Sequence, residues 1–155
     1  AHPLLRRLPM SQKQESPDFS RGECQLIYLR YAESDKIFDY VTRFLRDAVK
    51  REDQLLVNMI VIDETTWILT KKYKIPLNEV FELTDKLMPL LEVISINYID
   101  YDVMKKVMTE YGLKPSDAIH IASMGKSGAK HIVSEDEEFD KIPWIKRIWL
   151  DTTDY

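Results

Sequence analysis

The sequence predicts an α/β protein whose mostly parallel sheet is covered by helices, and three observations predict it. Apolar runs of strand length alternate with stretches whose apolar residues recur at helical spacing. The stretches between those runs are long enough to be the crossover helices that parallel strands require. A length of 155 residues, with 45% hydrophobic and 31% charged side chains, suits one core and excludes disordered, collagen-like and disulfide-scaffold compositions.

Residues 1–24 carry Pro3, Pro9 and Pro17 among Ser11, Gln12, Gln14, Ser16 and Ser20, with no apolar period, and are expected to form a poorly ordered extension. The folded domain is expected over 25–155, opening with the apolar strand Gln25-Leu26-Ile27-Tyr28-Leu29. Ser34 can cap a helix bearing Ile37, Phe38, Val41, Phe44, Leu45, Ala48 and Val49 on one side. Leu55-Leu56-Val57 reads as a buried strand, and Asn58 as the cap of a second helix with Ile60, Val61, Glu64, Ile68 and Leu69 on one face. Pro76 and Asn78 open a third helix through Val80, Leu83, Leu87, Leu90 and Leu91, with Pro89 disturbing its last turn. Residues 92–96 form a strand. A fourth helix with Ile99, Val103, Val107, Met108 and Tyr111 stops at Gly112, the usual left-handed terminator. Pro115 starts a fifth, with Ala118, Ile121 and Ala122 facing inward and Gly125 and Gly128 ending it. Residues 131–134 and 147–150 supply two more strands.

With 26 acidic against 22 basic side chains the net charge is -4, so a polyanionic partner needs metal ions or a local basic patch to be held. Lys71, Lys72 and Lys74, with Arg30, are candidates for such a patch, although a solvated helix end accounts for the lysines equally well. The lone Cys24 fits a reducing compartment and reads as a small buried residue. No apolar run reaches the roughly 18–20 residues of a membrane span, and the charged, proline-broken start is unlike a signal peptide. A soluble cytoplasmic protein that does not engage a membrane is expected.

Three carboxylates stand where the pattern wants hydrocarbon, and such breaks concentrate at functional sites. Glu64 lies on the apolar stripe of its helix, where an unpaired charge is costly. Asp117 falls in the first turn of the fifth helix, and Asp136 just beyond the strand ending at Ser134, where open α/β sheets build their sites. Taken singly they could be an ion pair, a helix cap and a turn residue. Taken together at one sheet edge, they would repel one another unless protonated or neutralised by cations. Hard oxygen donors without a cysteine or histidine cluster select Mg²⁺ or Mn²⁺, which points to metal-assisted phosphodiester chemistry. Ser134 is a candidate for orienting one of the ligand carboxylates. His120 is expected to pack or hydrogen-bond rather than act as a base, and Asp63 and Asp140 to lie at the surface. Tyr101 and Trp144 are candidate dimer-surface aromatics.

The segment Tyr111-Gly112-Leu113-Lys114-Pro115-Ser116-Asp117-Ala118-Ile119-His120-Ile121-Ala122, followed by His131-Ile132-Val133-Ser134-Glu135-Asp136-Glu137-Glu138-Phe139-Asp140, resembles the C-terminal half of PIN-domain nucleases, including VapC-type toxins. The resemblance spans roughly Leu26 to Leu150 in element order. It maps that family's metal-binding acids onto Asp117, Asp136 and Glu64. It implies a three-layer α/β/α sandwich, a Mg²⁺- or Mn²⁺-dependent endoribonuclease acting on RNA, frequent homodimers and, for the toxin subgroup, an antitoxin partner. The sequence departs from the family at its start. Aligning the family's tyrosine with Tyr28 puts the first acid's position at Gly22, with Glu23 as its neighbour and the candidate fourth metal ligand, and Asp18 as a poorer one. The rival readings are a PIN-like binding scaffold that lost catalysis with its first acid and, last, a phospho-acceptor receiver-like domain.

Overall fold

The computed structural model describes Gly22–Cys24 and residues 35–152. Strand β1 is Gly22–Cys24, helix α1 Asp35–Lys50, strand β2 Leu55–Asn58, helix α2 Met59–Lys71 and helix α3 Leu77–Leu87. A single 3-10 turn at Met88–Leu90, where Pro89 sits, leads into strand β3, Leu91–Ile94. Helices α4 (Asp100–Tyr111) and α5 (Pro115–Ser127) follow, then strand β4 (His131–Val133), a turn of 3-10 helix at Glu137–Lys141 and strand β5 (Lys146–Ile148). The sheet runs β3-β2-β1-β4-β5 with every pair parallel. All strand C-termini therefore share one edge, and so do the N-termini of helices that start directly from them.

The sheet is covered on both faces, which makes the expected three-layer sandwich. Leu55 and Val57 of β2, Val133 of β4 and Ile148 of β5 pack with Phe44, Leu45 and Ala48 of α1 and Val61 of α2. On the other face Leu56 and Ile132 meet Val107 of α4 and Ala118, Ile121 and Met124 of α5. Adjacent residues of one strand thus bury themselves in opposite layers, as the period of two requires. Leu69 of α2 packs with Val80, Leu83 and Leu87 of α3 in a smaller third cluster. Gly112 (φ 70) and Gly128 (φ 75) end α4 and α5 in the left-handed region that an L side chain adopts only with strain.

The element order matches expectation, with shifts at boundaries. The sheet begins at Gly22, inside the segment expected to be an extension through residue 24. Gly-Glu-Cys carries no strand signal of its own; what makes it a strand is pairing with β2 on one side and β4 on the other. The expected strand at 25–29 and the Ser34 cap lie outside the described residues, as do Asp18 and Arg30. Helix α5 continues through Gly125 and stops only at Gly128. Among the described residues no helix is long and apolar enough to cross a membrane.

Candidate active site

Asn58 closes β2 and opens α2. Its side-chain Oδ1 accepts the Ile60 and Val61 amides (3.1 and 3.2 Å), the capping bonds its position predicts. That leaves Nδ2 facing α5, where it donates to His120 Nδ1 (3.0 Å) and to Ser123 Oγ (3.1 Å). Because Asn58 Oδ1 is taken by the two amides, its Nδ2 is the donor in this bond and His120 Nδ1 the acceptor. The fully buried His120 is therefore locked in place by the cap of the opposite helix. It is a hydrogen-bonded packing residue, as expected.

Around this joint stand the acids. Asp117, in the first turn of α5, is buried, and its Oδ2 has no hydrogen-bond partner among the described residues. Its pKa is raised, first by burial and next by the Asp136 charge, against a smaller lowering by His120 and Lys114. Glu64, half-buried on the flank of α2, is also raised, first by burial, with the Asp117 and Asp63 charges adding and His120 and Lys114 opposing. Its place is beside the fully buried row Val61, Thr65 and Leu69 rather than within it. Neither Glu64, Asp117 nor Asp136 forms an ion pair among the described residues. The acids act on one another in pairs, Glu64 with Asp117 and Asp117 with Asp136. Among the described residues no three His, Cys, Asp or Glu side chains enclose a metal position by themselves. The donors present, all carboxylate oxygens, one of them buried and without a partner, fit a hard divalent cation. Glu23 lies in β1 in register with Leu56, two residues short of Asn58, and thus about 7 Å behind the sheet edge.

Asp136 is held by its own turn. Its Oδ1 accepts the Glu138 amide (3.0 Å), capping the 3-10 turn, and its own amide donates to Ser134 Oγ (3.1 Å). Ser134 therefore fixes the backbone of Asp136; the sequence reading expected its hydroxyl to bond a ligand carboxylate, and it accepts the Asp136 amide instead. Behind it Arg147 of β5 ties the loop down. Nη1 donates to the Ser134 carbonyl (3.2 Å), Nε and Nη2 to the two oxygens of Asp140 (3.0 and 3.2 Å), and Nη1 and Nη2 to Asp151 (3.0 and 2.9 Å). The Asp151 and Asp140 carboxylates hold the guanidinium's pKa further above its ordinary value, with burial opposing, and Arg147 in turn holds Asp151 low.

The PIN-domain family profile matches residues 26–145, which is most of the chain. The chain belongs to the PIN-domain family. This is a family of nucleases that generally use divalent metal ions. Solved PIN-like structures agree on the fold. A toxin–antitoxin complex from Klebsiella pneumoniae has a chain 17% identical, aligned over 80% of this chain and 94% of its own, at TM-score 0.60. VapBC2 from Rickettsia felis, bound to a DNA fragment from its promoter, is 15% identical over 83% of this chain and 97% of its own, also at 0.60. DNA-bound VapBC from Salmonella typhimurium is 14% identical over 84% and 98%, again at 0.60. No curated protein sequence matches.

Within this PIN domain, sequence reasoning placed Glu64, Asp117 and Asp136 near one sheet edge, and missed the groups that organise them. Asn58 showed only as a cap, because its second pair of bonds reaches across the sheet to α5. Lys114, the cation that acts on both Glu64 and Asp117, sits just before Pro115 and carries no motif. Arg147 did leave a signal. A single arginine inside the run Ile148-Trp149-Leu150 and its strand breaks the apolar rule just as Glu64 does.

Proposed function

We propose that the protein is a Mg²⁺- or Mn²⁺-dependent endoribonuclease, with Glu64, Asp117 and Asp136 as its metal-binding acids and Glu23 as a fourth contributor from β1. The observation that carries this reading is the buried, partnerless Oδ2 of Asp117, beside a second carboxylate and with no cation paired to either among the described residues. A fold rarely keeps such repulsion without a use for it. A divalent cation supplies the positive charge that phosphodiester cleavage needs and lowers the pKa of attacking water. The chain's own part is to hold the acids. Asn58 and His120 brace α2 against α5, Ser134 and Arg147 fix the Asp136 turn, and Lys114 sits where it can meet a scissile or neighbouring phosphate. Similarity in fold to toxin–antitoxin complexes supports a toxin role with an antitoxin partner; the proposal further takes the protein to be a cytoplasmic homodimer.

One observation favours a second reading, a PIN scaffold without catalysis: Glu23 lies behind the sheet edge and no three acids enclose a metal position among the described residues. Mn²⁺ titration of the apo protein followed by thermal shift, with RNA cleavage in parallel, decides between them. The nuclease reading expects a rise in melting temperature at sub-millimolar Mn²⁺, and at least about a hundredfold loss of cleavage in Asp117→Asn and Glu64→Gln. No shift at millimolar Mn²⁺, with no cleavage by the wild type, establishes the scaffold.

A further inference from the structure

Helix α2 carries a second, exposed feature on the flank that bears Glu64. At about 100° and 1.5 Å per residue, Lys71 lies only about 20° around the helix from Glu64 and about 10 Å along it, with Trp67 between them about 60° toward solvent. Trp67 is 63% exposed, and the Lys71 ammonium lies over its ring, 5.5 Å from the centroid. Lys72 stands over the Tyr73 ring at 5.3 Å, and Lys74 is exposed just beyond. The Thr70 hydroxyl is turned back onto the Thr66 and Trp67 carbonyls (2.8 and 3.1 Å) and does not cover the indole.

In a chain of net charge -4, three lysines within residues 71–74 beside two aromatic rings make a local reversal of sign. Exposed aromatics interleaved with cations are the elements of single-strand nucleic-acid binding: the ring stacks a base and the ammonium groups take the phosphates. A protein-docking tryptophan is more typically rimmed by apolar side chains, whereas the residues one turn to either side of Trp67 on its exposed strip are Asp63 and Lys71.

Resting on the nuclease reading, we infer that Trp67 is a base-stacking subsite for single-stranded RNA, with Lys71, Lys72 and Lys74 gripping the backbone on the side away from Glu64 and the strand continuing past the indole toward Glu64 and Asp117. The subsite selects unpaired RNA, because a base inside a duplex cannot present its face to the indole. It also places the strand along α2, so that a nucleotide a short way from the stacked base arrives at the acids.

Binding of a fluorescently labelled oligoadenylate, measured by anisotropy in EDTA so that nothing is cut, tests the subsite. Trp67→Ala is expected to weaken affinity roughly five- to a hundredfold, and Trp67→Phe to keep most of it. Lys71→Ala is expected to flatten the slope of log affinity against log salt by about 0.7, a slope that Trp67→Ala leaves unchanged. The exposure of Trp67 makes loss of fold in these variants easy to exclude by thermal melt. Unaltered affinity in Trp67→Ala overturns the subsite, as does a shift from dimer to monomer with affinity per protomer unchanged, which assigns the indole to a protein interface. Wild-type Mn²⁺-dependent cleavage is followed alongside. Cleavage with Trp67-independent binding sinks the subsite alone, and Trp67-dependent binding without cleavage sinks the nuclease reading alone.

Discussion

Two groups of carboxylates stand beyond the C-terminal edge of the same sheet, and the fold treats them oppositely. Asp140 and Asp151 share the buried guanidinium of Arg147 through four charge-assisted bonds, and Arg147 holds Asp151 below its ordinary pKa. Glu64 and Asp117 have no such partner among the described residues and are raised by burial and by neighbouring negative charge. The difference separates structural charge from charge kept in reserve. Where the fold uses an acid as a strut it provides the arginine; at the acids proposed to bind metal, no arginine or lysine forms an ion pair among the described residues.

Breaking the strut should have the largest effect on stability. Arg147→Ala removes five hydrogen bonds around a nearly buried side chain, but Asp140 and Asp151 are 53% and 47% exposed and can rehydrate. We therefore expect a loss of about 2–3 kcal/mol, below the full cost of orphaning a buried pair, in urea unfolding. The same variant should bind Mn²⁺ about ten- to a hundredfold more weakly, since the Asp136 turn loses its anchor. Mn²⁺ affinity unchanged in a folded Arg147→Ala would show that the turn holds itself. Asn58→Ala comes next, at about 1–2 kcal/mol, because it removes a helix cap and strips His120 and Ser123 of their donor. A cost of a few tenths would mean that the bridge between α2 and α5 is not what braces the acids.

The smallest effect, and the sharpest in sign, is the pH dependence in chelator. Raised native pKa values for Glu64 and Asp117 mean that the folded state binds more protons than the unfolded chain, whose carboxylates have values near 4.5 and 3.8. Their contribution to stability therefore falls as pH rises through the window above those values. Asp151, lowered by Arg147, contributes the opposite slope, with stability present above 3.8 and lost on acidification. Asp117→Asn should accordingly gain about 0.5–1 kcal/mol at neutral pH and flatten the fall, read from thermal melts in EDTA across pH 4–8. A less stable Asp117→Asn at pH 7 would make Asp117 a strut after all.

Most of the architecture was legible because it rests on local signals: the helical spacing of α1, the proline start of α5, the glycine that stops α4. The three acids were legible because each offends its own local pattern. What was hidden depends on partners far along the chain. Gly22–Cys24 is a strand only through neighbours from two other segments, Asn58 reaches His120 across the sheet, and Arg147 gathers Ser134 and Asp140 from the β4–β5 connection and Asp151 from beyond β5. Trp67 was passed over for another reason. An exposed aromatic within a helix that also has a good buried row changes nothing in the periodicity.

The strand order carries one more consequence. The middle of the sheet is β1, and the pair Gly22↔His131 joins strands separated in sequence by β2, β3 and helices α1 to α5. On the ribosome β2 and β3 can pair early, but β1 gains its second neighbour only when β4 emerges, after Asp117 and just before Asp136. The acids proposed to bind metal can therefore come together only once β4 has emerged, in the same step that gives β1 its second neighbour.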